Sequence, residues 1–292
     1  MSILEIVKTF GSYQCYFPNI IDATRDEDGR LVCLKRVLTN SQELEIATLF
    51  SRPPLCGHPS NHCVPVLDAF VDDEDEKISY IVMPFLRRMD NPPFDLVNDL
   101  LDFVDQVLEG LAFMHDNDVA HRDPAETNIL MDGDSLFPYG FHPVHQNFGL
   151  SVRIPPRQPR LVTGDVGADR EVPELSHTVP YDPFKVDIFV LGNVFRKRIY
   201  DKYQRVGFLV PLIAAMTQQK PHDRPTAREA LEQWRQIRQR ILWIHRVCRL
   251  RGRDEYLVQT IVLDAIAVVR VAYLIAKRFA GWSLSWLSLL FA

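Results

Sequence analysis

The chain has 292 residues, 47% of them hydrophobic and 24% charged, with a formal net charge of −5. That balance suits one or two buried cores and excludes disordered and collagen-like chains. The cysteines (Cys15, Cys33, Cys56, Cys63, Cys248) are odd in number and irregularly spaced, which argues against a secreted disulfide framework; Lys8 interrupts the apolar N-terminal stretch, so no signal peptide is read and the expected compartment is the cytoplasm.

In chain order, residues 15–39 read as two strands, YFPNIIDAT and LVCLKRV, joined by the turn-forming RDEDGR. A helix is predicted over 41–50, with Ser41 as N-cap and Ile46, Leu49 and Phe50 on one face; Pro53 and Pro54 stop it. Cys56, His58, His62 and Cys63 then place potential zinc ligands close together, but their spacing matches no common zinc module, and a loop before a strand is the competing reading. Two more strands, CVPVLDAF and ISYIVMPF, flank the acidic turn DDEDEK. The first 86 residues are therefore mostly sheet with one helix.

After NPPFD the period changes. Leu100, Phe103, Val104, Val107, Leu108, Leu111, Ala112 and Met114 recur mostly at three- and four-residue steps, which predicts a long helix ending before DND. Beyond Pro180, KVDIFVLGNVFRKRIYD, FLVPLIAAMTQ and PTAREALEQWRQIRQRILWI are helical again, the last begun by Pro225 and Thr226. A small strand-rich lobe thus precedes a larger helical one.

Directly after the long helix comes VAHRDPAETNILM, residues 119–131. A carboxylate, Asp123, is followed five residues later by an amide, Asn128, and then by a short apolar strand. The pattern resembles the catalytic loop of protein kinases, in which the carboxylate meets an incoming hydroxyl and the amide oxygen holds a metal on the phosphates. The resemblance covers roughly residues 20–245 and implies an α+β, bilobal protein-kinase-like fold. It implies an N-lobe of about 1–86, a C-lobe of about 87–245, and a separate tail at 246–292.

Carried over residue by residue, the resemblance makes Asp123 the catalytic base and Asn128 a magnesium ligand. Lys35, in LKRV, is the ATP-phosphate lysine, and Glu45 the helical glutamate that pairs with it. Met83 is the gatekeeper before an adenine-binding hinge that includes Phe85. Glu174 in VPE is expected to pair with Arg224 in HDRPT, and Asp187 to brace the catalytic loop. The overall texture is similar to a divergent group of fungal protein-kinase-domain proteins. ATP and a protein hydroxyl are the implied substrates, and no nucleic-acid-binding motif is present.

Three departures bear on activity. The metal-binding DFG reads Asn147-Phe148-Gly149, so a neutral amide stands where magnesium prefers a carboxylate. The preceding HPVHQ is not the apolar strand expected there, and the double departure reads as a lost segment. No GxGxxG precedes Lys35, and Ala125 replaces the lysine that serine/threonine kinases carry two residues after the aspartate. A catalytically impaired pseudokinase, acting as a scaffold or membrane-recruited module, is therefore the alternative reading.

The tail is basic. From 235 to 292, ten basic residues face three acidic ones, a net +7 that leaves −12 on the body. Residues 256–278 plot as an amphipathic helix, with Gln259, Thr260, Asp264, Arg270, Lys277 and Arg278 in an arc of about 140°. With Trp282 and Trp286 beyond it, the tail suits an anionic membrane surface; packing on the large lobe or on a partner helix is the competing reading.

Overall fold

The computed structural model describes residues 6–7, 19–132 and 149–269. Its strand-rich half is an antiparallel sheet of β1 (Ile6–Val7), β2 (Ile20–Arg25), β3 (Leu31–Leu38), β4 (Asp68–Val71) and β5 (Ile78–Pro84), ordered β1-β2-β3-β5-β4. Register pairs Lys35 with Ile20 on one side and Ile81 on the other, and pairs Cys33 with Met83. Since side chains alternate along a strand, Ile20, Cys33, Val37, Ile81 and Met83 share one face, which packs on Ala47 of helix α1 (Gln42–Phe50). Ala23, Val32, Leu34 and Val82 form the other face.

Ser41 caps α1 as expected: its Oγ accepts from the Leu44 amide at 3.3 Å, and the helix buries Ile46, Ala47 and Phe50. The strand expected from Cys63 is regular only from Asp68. Pro65 lacks a ladder N–H, and the extended approach is held by the Leu67 amide on the Val82 carbonyl at 2.8 Å. In the Cys/His segment, His58 stacks on Phe113 at 4.8 Å, His62 meets Glu109 at 3.4 Å, and burial pushes the Cys63 thiol up to about 12.

The helical half contains β6 (Arg87–Arg88), α2 (Val97–Asp116), β7 (Val119–Ala120), β8 (Leu130–Met131), β9 (Val152–Arg153), β10 (Val162–Gly164), β11 (Ser176–Tyr181), α3 (Pro183–Val194), α4 (Val210–Met216), α5 (Ala227–Arg240) and α6 (Trp243–Arg246). Its core gathers Leu100, Leu101, Val104 and Leu108 of α2, Ile188 and Leu191 of α3, Leu212 of α4 and Trp234 of α5. A Cβ on Gly192 would lie 2.8 Å from the Met216 Cβ, so glycine is what lets α3 approach α4. The fold class is α+β, strands first and helices after, as the sequence predicts.

Two helical runs differ from expectation. The segment after α3 winds as a π-helical turn, Phe195–Tyr200. The last long helix begins at the Thr226 cap with a reciprocal Glu229 bond, but it stops at Arg240 instead of running through ILWI. Buried Ile241 takes extended dihedrals, and Arg246 folds back to donate to the carbonyls of Arg238 (2.8 Å) and Ile241 (3.1 Å), capping the helix end.

Residues 248–253 then cross the helical lobe as a strap. The Val97 amide donates to Cys248 O at 3.0 Å, the Leu250 amide to Asp95 O at 2.7 Å, and the Gln204 amide to Arg251 O at 2.8 Å. A helix follows over 257–269. Among the described residues, no helix is long and apolar enough to cross a membrane.

Candidate active site

The loop between β7 and β8 carries His121, Arg122, Asp123 and Asn128. Its shape is imposed from below by Asp187, fully buried on α3, whose carboxylate accepts the main-chain N–H groups of His121 at 2.7 Å and Arg122 at 2.6 Å. His115 Nε2 donates to the same carboxylate at 2.9 Å. Arg122 sits at φ 66°, a left-handed conformation unfavourable for a non-glycine residue, and the bond to Asp187 offsets that strain. The bracing role expected of Asp187 is thus visible as three bonds on one carboxylate.

Asp123 is 8% exposed. Its Oδ2 and its main-chain carbonyl both accept from Asn128 Nδ2, at 3.0 and 2.8 Å, which brings the two predicted residues together and leaves the Asn128 Oδ1 as the acceptor end. The other carboxylate oxygen accepts the main-chain N–H of Ala168 at 2.9 Å, so a residue of the segment between β10 and β11 lies on the carboxylate. Sequence reasoning missed Ala168, because a main-chain donor leaves no mark on residue type. It also missed Arg198, which pairs with Glu126 inside the loop and ties PAET to the π-helical turn.

Lys35 is buried on the inner face of β3, in the row of Ile20 and Ile81. Its ion-pair partner is Glu43, not Glu45 as expected. Glu43 lies three and four residues before the buried Ile46 and Ala47, so it shares the face that α1 turns to the sheet; Glu45 points elsewhere, with a side chain 61% exposed and 3.4 Å from Arg153. The spacing to Ile46 and Ala47 was the signal for the glutamate that pairs with Lys35.

Met83 is buried beside Cys33, on the same sheet face as Lys35. Phe85 and Asn128 line a cavity of about 1100 Å³ that runs along the Pro84–Arg87 connection and the side of α2; Lys35, Met83 and Asp123 are not in its wall. Asn147 lies outside the described residues. Further along the chain, Glu174 grips the buried Arg224 guanidinium through two bonds, at 2.5 and 2.9 Å, as its place in VPE predicts. Arg224 also donates to the carbonyls of Gln218 (2.6 Å) and Lys185 (3.0 Å), which leaves little of it unsatisfied.

No protein-family profile matches the chain. Individual curated proteins do. The serine/threonine-protein kinase PTK2 of Candida glabrata is 34% identical over 105 residues, 31% of this chain and 13% of that protein. PkaB of Streptomyces coelicolor, also a serine/threonine-protein kinase, is 32% identical over 170 residues, 55% of this chain. The serine/threonine-protein kinase polo of Drosophila melanogaster is 24% identical over 252 residues, 76% of this chain. The matches span 13%, 40% and 41% of these relatives' own lengths, so the chain corresponds to well under half of each.

Proposed function

We propose that the chain, similar to curated serine/threonine-protein kinases, is a member of the protein kinase superfamily that binds ATP and transfers the γ-phosphoryl group to a protein serine, threonine or tyrosine hydroxyl. Asp123 is the group that accepts the hydroxyl proton, and Lys35, aimed by Glu43, is the cation that meets the phosphates. The observation that carries the reading is the Asp187-braced loop, which holds Asp123 and Asn128 within hydrogen-bonding distance of each other.

The nucleotide and the metal fare differently. A buried lysine already paired with a helical carboxylate fits a triphosphate, and the apolar face of Ile20, Cys33 and Met83 beside it fits a planar base. Magnesium fits poorly: Asn128 offers one amide oxygen and Asn147 is a second amide, with no carboxylate supplied by the metal motif.

The second reading is a catalytically impaired module that binds a protein partner and is recruited to an anionic membrane by its tail. It is favoured by Asn147 and by the Ala168 amide resting on the Asp123 carboxylate, where an incoming hydroxyl would have to sit. The test is phosphotransfer from radiolabelled ATP to generic protein substrates by the full chain, with Asp123→Asn as control, alongside thermal shifts with ATP in the presence and absence of magnesium. Transfer abolished by Asp123→Asn supports the enzyme. Nucleotide stabilisation without transfer, and transfer gained by Asn147→Asp, supports the impaired module; the absence of any nucleotide effect in either chain overturns the ATP-binding reading.

A further inference from the structure

Surface helices of water-soluble domains bury an apolar stripe and show a polar one to solvent. The helix over 257–269 departs from this, with Leu263 and Ala267 partly buried but most of its large apolar side chains facing outward. Its partly buried stripe contains Thr260 and Asp264, and Asp264 is clamped by Arg249 Nε at 2.9 Å and by Arg251. Glu255, just ahead of the helix, takes both terminal nitrogens of the same Arg249, at 2.8 and 2.7 Å. The outward side chains Val258, Ile261, Val262, Ile266 and Val269 are between 51% and 73% exposed. The polar stripe is thus spent on fixing the helix to the strap, and the apolar stripe is what it offers.

A second apolar group stands at the other end of the strap. Leu242, Trp243 and Ile244 are consecutive and 70%, 73% and 57% exposed, although α6 itself is seated on the lobe through the His245 ring against Phe208. Exposed apolar residues grouped in this way mark an interaction surface, not ordinary solvent-facing scatter. The charge around them is net positive: residues 235–269 hold seven arginines against Asp254, Glu255 and Asp264, and although Arg235 and Arg238 are paired with Glu109, Asp102 and Asp105 of α2, Arg240 and Arg253 are exposed. Past residue 269 the sequence continues with Arg270, Lys277 and Arg278, then an uncharged run over 279–292 with Trp282 and Trp286. Two copies of such a surface would place arginines against arginines, whereas an anionic bilayer meets both the charge and the apolar side chains.

We propose that Leu242–Trp243–Ile244 and the outer face of the 257–269 helix form a two-part lipid-inserting surface, held in place by the Arg249–Glu255–Asp264 clamp. This rests on the reading of the tail as a membrane-recruiting segment and adds to it an insertion site outside the amphipathic helix.

The test is co-sedimentation of the full chain with phosphatidylcholine vesicles, with and without phosphatidylserine, comparing the unmodified chain with Leu242→Ser/Trp243→Ser and with Ile261→Asn/Val262→Asn. Both pairs change exposed side chains, and an unaltered melting temperature checks that the fold is kept. Binding only to the phosphatidylserine vesicles, reduced by about tenfold or more in each double variant, is the expected result. Binding that Leu242→Ser/Trp243→Ser leaves unchanged overturns the insertion site while the tail reading stands. No binding by the unmodified chain overturns both, and so does lipid-free self-association that either double variant abolishes, because a second copy then covers the face.

Discussion

The Oδ1 atom of Asp187 accepts the main-chain N–H of Arg122 at 2.6 Å, and Arg122 is the residue of the β7–β8 loop held at φ 66°. Removing the carboxylate with Asp187→Ala strands the buried amide of His121 and the partly buried amide of Arg122, at about 1–3 kcal/mol each. The expected result is a loss of roughly 3 kcal/mol or more in urea unfolding, seen as a lower midpoint with an unchanged slope. A loss below about 1 kcal/mol would mean the loop keeps its shape without the brace.

Glu43 and Glu45 stand two residues apart on α1, yet only Glu43 reaches Lys35. Glu43→Gln is expected to weaken ATP binding by at least about tenfold, or 1.4 kcal/mol, because the lysine loses the charge that aims it. Glu45→Gln removes a half-exposed contact to Arg153 and is expected to leave binding within about twofold, in keeping with the small worth of surface pairs. Isothermal titration with ATP separates the two. Equal effects would remove the basis for assigning Glu43 over Glu45.

Much of this was legible in the sequence. HRDxxxxN gave Asp123 and Asn128 because both must come from one loop, and VPE with HDRPT gave Glu174 and Arg224 because each sits in its own local pattern. The pairing with Lys35 expected of Glu45 is made by Glu43 in the structure; α1 is nine residues long, and its buried face, not its distance from Lys35, decides which glutamate turns inward. The break after Arg240 was hidden because Arg246 caps α5 from a segment whose composition still suits a helix. The outward turn of the apolar stripe in the tail was hidden for a related reason: amphipathic period locates the stripe but does not say which side docks.

The Glu174–Arg224 pair is buried, with the arginine side chain wholly enclosed, whereas the Arg228–Asp116 pair is largely exposed. Breaking the first by Glu174→Ala leaves a buried guanidinium without its counter-charge and is expected to cost about 3–5 kcal/mol. Asp116→Asn is expected to cost no more than about 1 kcal/mol. Chemical denaturation of the two variants in parallel makes the comparison, and a Glu174→Ala loss as small as that of Asp116→Asn would show that the carbonyls around Arg224 suffice to hold it.

His121 provides a pH dependence. Burial pushes its imidazole below the ordinary value of 6.5, and the nearby carboxylates of Asp187 and Asp123 oppose that shift without cancelling it. The folded chain therefore holds this ring neutral at a pH where the unfolded chain already protonates it. Because the unfolded state binds more protons, the contribution of His121 is fully present above about pH 6.5 and is lost as pH falls from there towards the lowered folded-state value. His121→Asn, which cannot titrate, is expected to be less stable at neutral pH but to show a shallower decline in the stability of the chain between about pH 7 and 5. Urea midpoints measured across that range for both chains decide it: parallel curves would place the acid sensitivity on other groups, while a flattened curve in the variant would assign it to the histidine beside the Asp123 carboxylate.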